Sequence, residues 1–404
     1  MYTEKEVLEF VRDSDVRFIR LAFADVYGNP KNISILPEEL PRAFAEGISF
    51  DASAIHGFGS EIKSDLFLHP DSATLTVLPW RPSRGRVIRL FADIRHPDGS
   101  DFACDTRQIL RATARKAMER GFAVNIGTEF EFYLFKLDEN SQPTKNPLDE
   151  AGYMDIFPED RGENIRREIC LTLSEMGFRP ESSHHEEGPG QNEIDFRFSG
   201  ALPAADNAIT FRTVVKTVAM QSGLWADFSP KPLGGKAGNG MHVNLSLASG
   251  TAADTDAFMA GMMEHICEIT AFLNPLPASY LRLGENKAPR YVTWSPENRS
   301  QLIRIPAASS AEYRRIELRS PDPSANPYLA FALLIEAGLD GIERGLTPPP
   351  PTNVNLYTAG KSITDALTRL PATPEEAQRA ASRSSFIRTL LPKDLCTAYH
   401  LTAD

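Results

Sequence analysis

Glutamates, a histidine and arginines recur on alternate positions of short apolar segments. In Thr128-Glu129-Phe130-Glu131-Phe132-Tyr133, strand alternation puts Glu129 and Glu131 on one face and Phe130 and Phe132 on the other. Glu193-Ile194-Asp195-Phe196-Arg197-Phe198, Met241-His242-Val243-Asn244-Leu245-Ser246 and Arg315-Ile316-Glu317-Leu318-Arg319 repeat the pattern. One such strand is what an antiparallel sheet with a wet side shows. Four of them, rich in Glu and Arg and almost free of Lys, can line a single cavity if their apolar faces pack on helices. Carboxylates that close together need cations. Oxygen ligands with one imidazole and no thiolate suit Mg²⁺ or Mn²⁺ better than zinc, and arginine forks among them imply phosphate or carboxylate ligands. Divalent metals beside an arginine-lined anion site suggest phosphoryl transfer. The nearest Gly/Lys run, Leu233-Gly234-Gly235-Lys236-Ala237-Gly238, lacks P-loop spacing and the following Ser/Thr, so a nucleotide would be held by metals, arginines and loop backbone.

Periodicity and punctuation indicate the elements that position these strands. Residues 1–100 read as a small mixed domain: a short helix from Thr3, a β-rich run at 16–23, a loop through Asp25-Val26-Tyr27-Gly28-Asn29-Pro30 and a strand at 73–78. Turn-rich stretches at 79–84 and 96–99 then set a boundary near residue 100. Residues 101–404 form the larger unit, with amphipathic helices near 105–120, 161–177 and 205–222 alternating with the polar-faced strands. The 404 residues, 42% hydrophobic and 24% charged, have ordinary globular composition. With 43 Lys+Arg against 54 Asp+Glu the net charge is −11, and no long basic block is present. That excludes nucleic acid and an anionic membrane surface as main partners and leaves small molecules or proteins. The 4 scattered cysteines read as reduced thiols. Glu4, Glu6 and Glu9 argue against a secretory signal, and the apolar stretch 328–335 is far too short to cross a bilayer; a cytoplasmic location is expected.

Over most of its length the sequence resembles glutamine synthetase of the bacterial type I form. The resemblance rests on Phe50-Asp51-Ala52-Ser53 with Ser64-Asp65, Gly127-Thr128-Glu129-Phe130-Glu131-Phe132, His184-His185-Glu186-Glu187 through Glu193-Ile194-Asp195, Pro230-Lys231-Pro232-Leu233, Gly238-Asn239-Gly240-Met241-His242, Asn298-Arg299-Ser300 through Arg304-Ile305-Pro306, and Arg315 through Tyr328. It implies an α+β fold: a small N-terminal β-grasp-like domain, then a large catalytic domain with an antiparallel sheet, an open barrel, backed by helices. By the same resemblance Glu131, Glu186 and Glu193 hold one Mg²⁺ or Mn²⁺ next to the substrate, and Glu129, His242 and Glu317 hold a second that bridges the ATP phosphates. Arg282, Arg299 and Arg319 would clamp substrate carboxylates and the transferred phosphate, with Gly238 and Asn239 also at the substrate. Arg304 and Arg315 would face the nucleotide phosphates and Ser246 the adenine. The implied reaction is phosphorylation of a γ-carboxylate by ATP, then attack of ammonia on the acyl phosphate. Asp51 would reach a neighbour's site, as would Asp65, making self-association into a hexameric ring, with stacking into a dodecamer left open, a functional requirement.

Three departures from the family pattern bear on function. The segment Arg282-Leu283-Gly284-Glu285-Asn286-Lys287-Ala288-Pro289 puts Lys287 where the family's flap carries a catalytic Glu, and Glu285 is the candidate substitute. Lys cannot be the same base without a strongly lowered pKa, so either ammonia use is impaired or the amine is different. Ala237 replaces a substrate-binding Asn, and Asn239 compensates only if the loop shifts. After residues 348–351 the family's longer helical C-terminus is cut to a remnant, which bears on ring stacking. His184 and His185 are expected to shape the turn or hydrogen-bond the site, Arg314 to point outward because alternation sets it opposite Arg315, and Asp195 to pair with Arg197. Tyr357 matches a tyrosine that some relatives adenylylate and reads here as an unmodified loop residue.

Overall fold

The computed structural model describes residues 2–58, 64–80, 85–285, 287–308 and 314–401. Its first helix, α1 (Glu4–Asp13), starts where expected: Thr3 accepts from the Glu6 amide while the Glu6 carboxylate accepts from the Thr3 amide, a capping box that satisfies two otherwise orphaned donors. Strands β1 (Val16–Ala24), β2 (Pro30–Ile35), β3 (Ile48–Asp51), β4 (Asp65–Pro70), β5 (Thr76–Val77) and β6 (Arg86–Arg95) form one sheet in the order β2-β1-β6-β4-β3, with β5 also on β6. β1 and β6 run parallel at its centre, and α2 (Leu40–Glu46) precedes β3. The strand expected at 73–78 shrinks to β5. Asp71 accepts from the Ala73 amide and caps a tight turn at Ser72–Thr74, so the sheet is completed by β4 and β6 instead. Residues 81–84 of the expected turn-rich stretch lie outside the described residues.

The second sheet is organised by β7 (Val124–Leu137), against which β8 (Pro143–Pro147), β10 (Gln191–Phe196), β11 (Ser199–Gly200), β12 (Leu224–Asp227) and β13 (Met241–Leu247) all pair. With β9 (Pro180–His185), β14 (Trp294–Pro296), β15 (Ile303–Ile305) and β16 (Ile316–Leu318) the path runs β14-β15-β16-β13-β7-β10-β9. The sheet curls into an open half-barrel and is antiparallel apart from the β14–β15 pair, which is parallel. Helices α3 (Thr106–Glu119), α4 (Glu163–Glu175) and α5 (Ala201–Gln221) occupy the three expected helical segments; α3 and α4 are amphipathic, whereas α5 is buried over most of its surface. The apolar face of β7 packs on α5 and on the residue that follows β12: Phe130 meets Phe211 of α5 at a ring distance of 5.0 Å, and Phe132 meets Phe228 at 5.4 Å. That leaves the glutamate face of the same strand turned the other way.

Helices α6 (Ala252–Leu273), α7 (Pro277–Arg282) and α8 (Pro327–Glu343) complete the scaffold. α6 and α8 cross in near contact, because a Cβ on Gly261 would lie 2.1 Å from the Ala337 carbonyl and one on Gly341 2.1 Å from that of Ala257; only glycine fits there. Among the described residues no helix is long and apolar enough to cross a membrane. After residues 348–351, α9 (Lys361–Thr364), α10 (Pro374–Arg383), α11 (Ser385–Leu390) and α12 (Lys393–Ala398) bring the chain back to the first domain. There Tyr27 donates to the Ala398 carbonyl at 2.7 Å and Tyr399 to that of Val26 at 3.0 Å.

Candidate active site

Strand register turns scattered residues into rows across the sheet. β9, β10 and β7 set His184 opposite Glu193 and Glu193 opposite Glu131. One step along, Asp195 faces Glu129, and Glu129 faces His242 on β13. Further on, Asn244 faces Glu317, and Glu317 faces Arg304 on β15. Like charges directly opposite one another destabilise a sheet, so two of these rows, Glu193 with Glu131 and Asp195 with Glu129, oppose folding unless a cation joins them.

Electrostatics around these rows is uneven. Burial works against the charge of Glu129, but His242 Nδ1 at 3.1 Å and a 2.8 Å donation from Asn244 outweigh it and hold the carboxyl down at about 2. Burial pushes Glu193 well above the usual carboxylate range, and the carboxylates of Glu131, which faces it, and of Asp195, two residues along its own strand, add to it. Asp195 is raised to about 6, first by burial and then by Glu129. Burial also opposes the charge of Glu186, yet His184 at 3.1 Å and the Glu187 amide at 3.0 Å keep its carboxyl below the ordinary range. Glu131 accepts from the Gly240 amide at 2.7 Å. Burial and the neighbouring carboxylates thus work together against a charge on Glu193.

Two cavities open on the rows. The smaller, about 200 Å³, is lined by Glu131, Glu186, Glu193, His242, Arg282 and Arg319, with Gly238, Lys287 and Arg299 also on its wall. The larger, about 910 Å³, includes Asp195, Arg197, Asn244, Ser246, Arg314 and Arg315. Glu129 lines both. One cavity thus holds the acid cluster and the other is a larger chamber beside it with Arg197, Arg314 and Arg315 on its wall, the arrangement needed to bring a large anionic ligand to a smaller one.

Most of the expected residues converge here, with instructive differences. Glu129, His242 and Glu317 offer ligand atoms within 4.8 Å of one another, as do Glu131, Glu193 and His242, while Glu186 groups with His184 and Glu193. Glu317 is fully buried and ion-paired to both Arg304 and Arg319. Arg304 is therefore turned to Glu317 and is absent from the larger cavity, whereas Arg315 lines it and is held by a 3.0 Å donation to Asn244. Arg282 lines the small cavity with its guanidinium oriented by donations to the carbonyls of Ser320 (2.8 Å) and Arg319 (3.1 Å). Asn239 does not line it: its amide donates to the Asp227 and Ser229 carbonyls and accepts from Gln191, so it does not stand in for the side chain missing at Ala237. Gly238 does line it, and a Cβ there would lie 2.5 Å from the Pro230 carbonyl.

Glu285 is exposed and off both cavities, whereas Lys287 is on the small one and ion-paired to Glu187; Asn286 between them lies outside the described residues. Asp51 and Asp65 face each other across β3 and β4, away from both cavities, and Asp51 accepts from Ser53. His185 lies between Asp149 (2.9 Å) and the Glu186 carbonyl (2.6 Å) and shapes the turn. Tyr357 donates to the Arg299 carbonyl at 3.4 Å. Arg314 lines the larger cavity together with Arg315, because both precede β16 and strand alternation does not reach them. Asp195 bonds to Ser182 and no ion pair joins it to Arg197 among the described residues. The sequence reading gave no role to Asn244, which bridges Glu129 and Arg315; its place two residues after His242 is the signal that reveals it.

Comparison with known proteins agrees with this geometry. The profile "Glutamine synthetase, catalytic domain" matches residues 103–403, and "Glutamine synthetase, beta-Grasp domain" matches residues 15–97. This chain belongs to the glutamine synthetase family. A glutamine synthetase of Methanosarcina mazei is 44% identical over 98% of this chain and 92% of its own length. One of Clostridium saccharobutylicum is 45% identical over 88% of this chain and 83% of its own. A solved structure described as a GmaS/ADP complex superposes with a TM-score of 0.88 at 28% identity, covering 97% of this chain and 94% of that one. The protein is accordingly a ligase that forms carbon–nitrogen bonds, and glutamine synthetase activity implies use of ATP and a divalent metal. The acid rows fit such a metal: the donors are carboxylate oxygens and one imidazole, and their ligand atoms lie within 4.8 Å of one another.

Proposed function

We propose that this protein makes L-glutamine from L-glutamate, ammonia and ATP through γ-glutamyl phosphate, with Mg²⁺ or Mn²⁺ in the acid cluster. The observation that carries the reading is the pair of cavities meeting at Glu129, with opposed carboxylates at their junction. ATP occupies the larger chamber, with Arg315 at its phosphates and Ser246 near the adenine. Glutamate occupies the smaller one, where Arg282, Arg299 and Arg319 bind its carboxylates and the transferred phosphate. Glu131, Glu186 and Glu193 would hold one cation and Glu129, His242 and Glu317 the other. Bound there, the cations neutralise the two anions that must approach each other. Arg319, itself held by Glu317, and Arg299 supply the remaining positive charge at the point of transfer. Arg304 acts through Glu317 and only indirectly on the phosphates.

The residues 1–100 form the N-terminal β-grasp-like domain in this reading and 101–404 the catalytic domain. The chain works in the cytoplasm as a hexameric ring in which Asp51 of one subunit completes the amine site of the next; the exposed position of Asp51, away from its own cavities, supports this. A second reading, transfer to another amine such as methylamine, a polyamine or an aromatic amine, is favoured by Lys287 on the wall of the small cavity. ATP-dependent phosphate release with L-glutamate, comparing ammonium with an amine panel and identifying the amide by mass spectrometry, separates the two. Glutamine at saturable ammonium supports the first reading; turnover with an organic amine alone replaces it.

A further inference from the structure

Lys287 carries a primary ammonium group into surroundings suited to binding one. Its Nζ pairs with Glu187 Oε1 and lies 5.6 Å from the centroid of the Tyr153 ring. A carboxylate and an aromatic face are the two groups that best recognise a small organic or inorganic ammonium ion. All three residues line the small cavity beside Glu186 and Glu193. Tyr153 meets His184 edge to face at 5.3 Å, and His184 is 3.1 Å from Glu186, so the Glu187–Tyr153 box is continuous with the acid cluster. The Lys287 and Glu187 side chains keep 51% and 39% of their exposure, and an ion pair that solvated is weak and readily exchanged.

We propose that Lys287 is a tethered occupant of the acceptor site: its ammonium group fills the Glu187–Tyr153 box, and free ammonium or a protonated amine enters only when Lys287 leaves. The inference rests on the ligase reading of the same site. A tethered group competes at an effective concentration in the millimolar range or above, and the apparent affinity of the free cation falls by the fraction of molecules in which the box is open. Lys287 therefore sets the acceptor concentration at which the enzyme works and acts on entry, not on phosphoryl transfer.

The test uses full-length protein and ammonium chloride, with sodium chloride as the control titrant. Isothermal titration calorimetry on wild type, K287M and the K287M/E187Q double variant is paired with steady-state kinetics. K287M is expected to bind ammonium about fivefold tighter or more, with the ammonium KM falling by a similar factor and kcat changing less. The E187Q change removes that gain. Equal or weaker ammonium binding by K287M overturns the proposal, as does a gain that survives E187Q. Binding is read without turnover, so a wild type that makes no glutamine refutes the glutamine reading while the affinity ratio still decides the role of Lys287.

Discussion

At two sites in the molecule buried carboxylates gather with arginines beside them. Where the first domain meets α3 and α5, Arg107 donates to Asp206 (2.9 and 2.8 Å), Asp93 (2.8 Å) and Asp71 (2.9 Å). Arg111 pairs with the same Asp71 and Asp93, and Tyr328 donates to Asp206 at 2.7 Å. There each of these acids has a cation of the protein itself. On the sheet, Arg304 and Arg319 are both taken by Glu317, while Glu131, Glu193, Asp195 and Glu129 face one another. The first cluster joins a strand, a turn and three helices and is complete as folded. The second is complete only when something positive arrives from outside, and that difference separates a cluster that builds the fold from one that does chemistry.

The contrast can be broken most severely at the junction. Arg107→Ala leaves Asp206 without its cation and Asp71 and Asp93 with Arg111 alone, and removal of one partner from a buried ion network costs about 3–5 kcal/mol; a large fall in the denaturant midpoint is expected, and an unchanged midpoint would mean the junction is not what holds the domains. On the sheet the sign reverses. Glu131→Gln or Glu193→Gln should reduce turnover by about 10²–10³-fold while the metal-free protein melts at the same temperature or higher, since one of two opposed charges is gone. A lower melting temperature in both metal-free variants would place these glutamates among the structural ones. Divalent cation should raise the melting temperature of wild type, since a ligand at 100 times its Kd stabilises by about 2.7 kcal/mol, and the Glu193→Gln variant should respond less. Equal responses in the two would break the link between the rows and the metal. The smallest effect on the isolated chain is expected from Asp51→Ala, which should leave folding intact and lower activity; mixing it with a Glu131-defective subunit should restore part of the activity through hybrid sites. No recovery would argue against a site shared between subunits.

What the sequence made legible follows from how locally each feature is encoded. Glu129 and Glu131 share a face because of a two-residue period within one strand, and His242 with Asn244 likewise, so alternation alone found the polar surface. Register is a long-range property, and the pairing of Glu193 with Glu131 and of Asp195 with Glu129 had no local signature; hence Asp195 was expected to pair with Arg197. Arg314 was misplaced because alternation was carried past the end of β16. Asn239 sits in a segment whose course depends on Gln191, Asp227 and Ser229, none adjacent in sequence. The junction cluster was invisible for the same reason: Asp71, Asp93, Arg107 and Asp206 are unremarkable singly and meet only in the folded chain. In the first domain, β6 lies behind a turn-rich stretch and β4 mixes polar with apolar residues, so neither offered the continuous signal that β1 did.

Metal binding by the opposed carboxylates is the property on which turnover at this site depends. Titration of Mn²⁺ followed by electron paramagnetic resonance, in wild type and in Glu131→Gln and Glu193→Gln, measures that directly. The prediction is about two Mn²⁺ per chain in wild type, with one lost or strongly weakened in each variant alongside the loss of glutamine formation. No saturable binding in wild type, or unchanged binding in both variants, would contradict it.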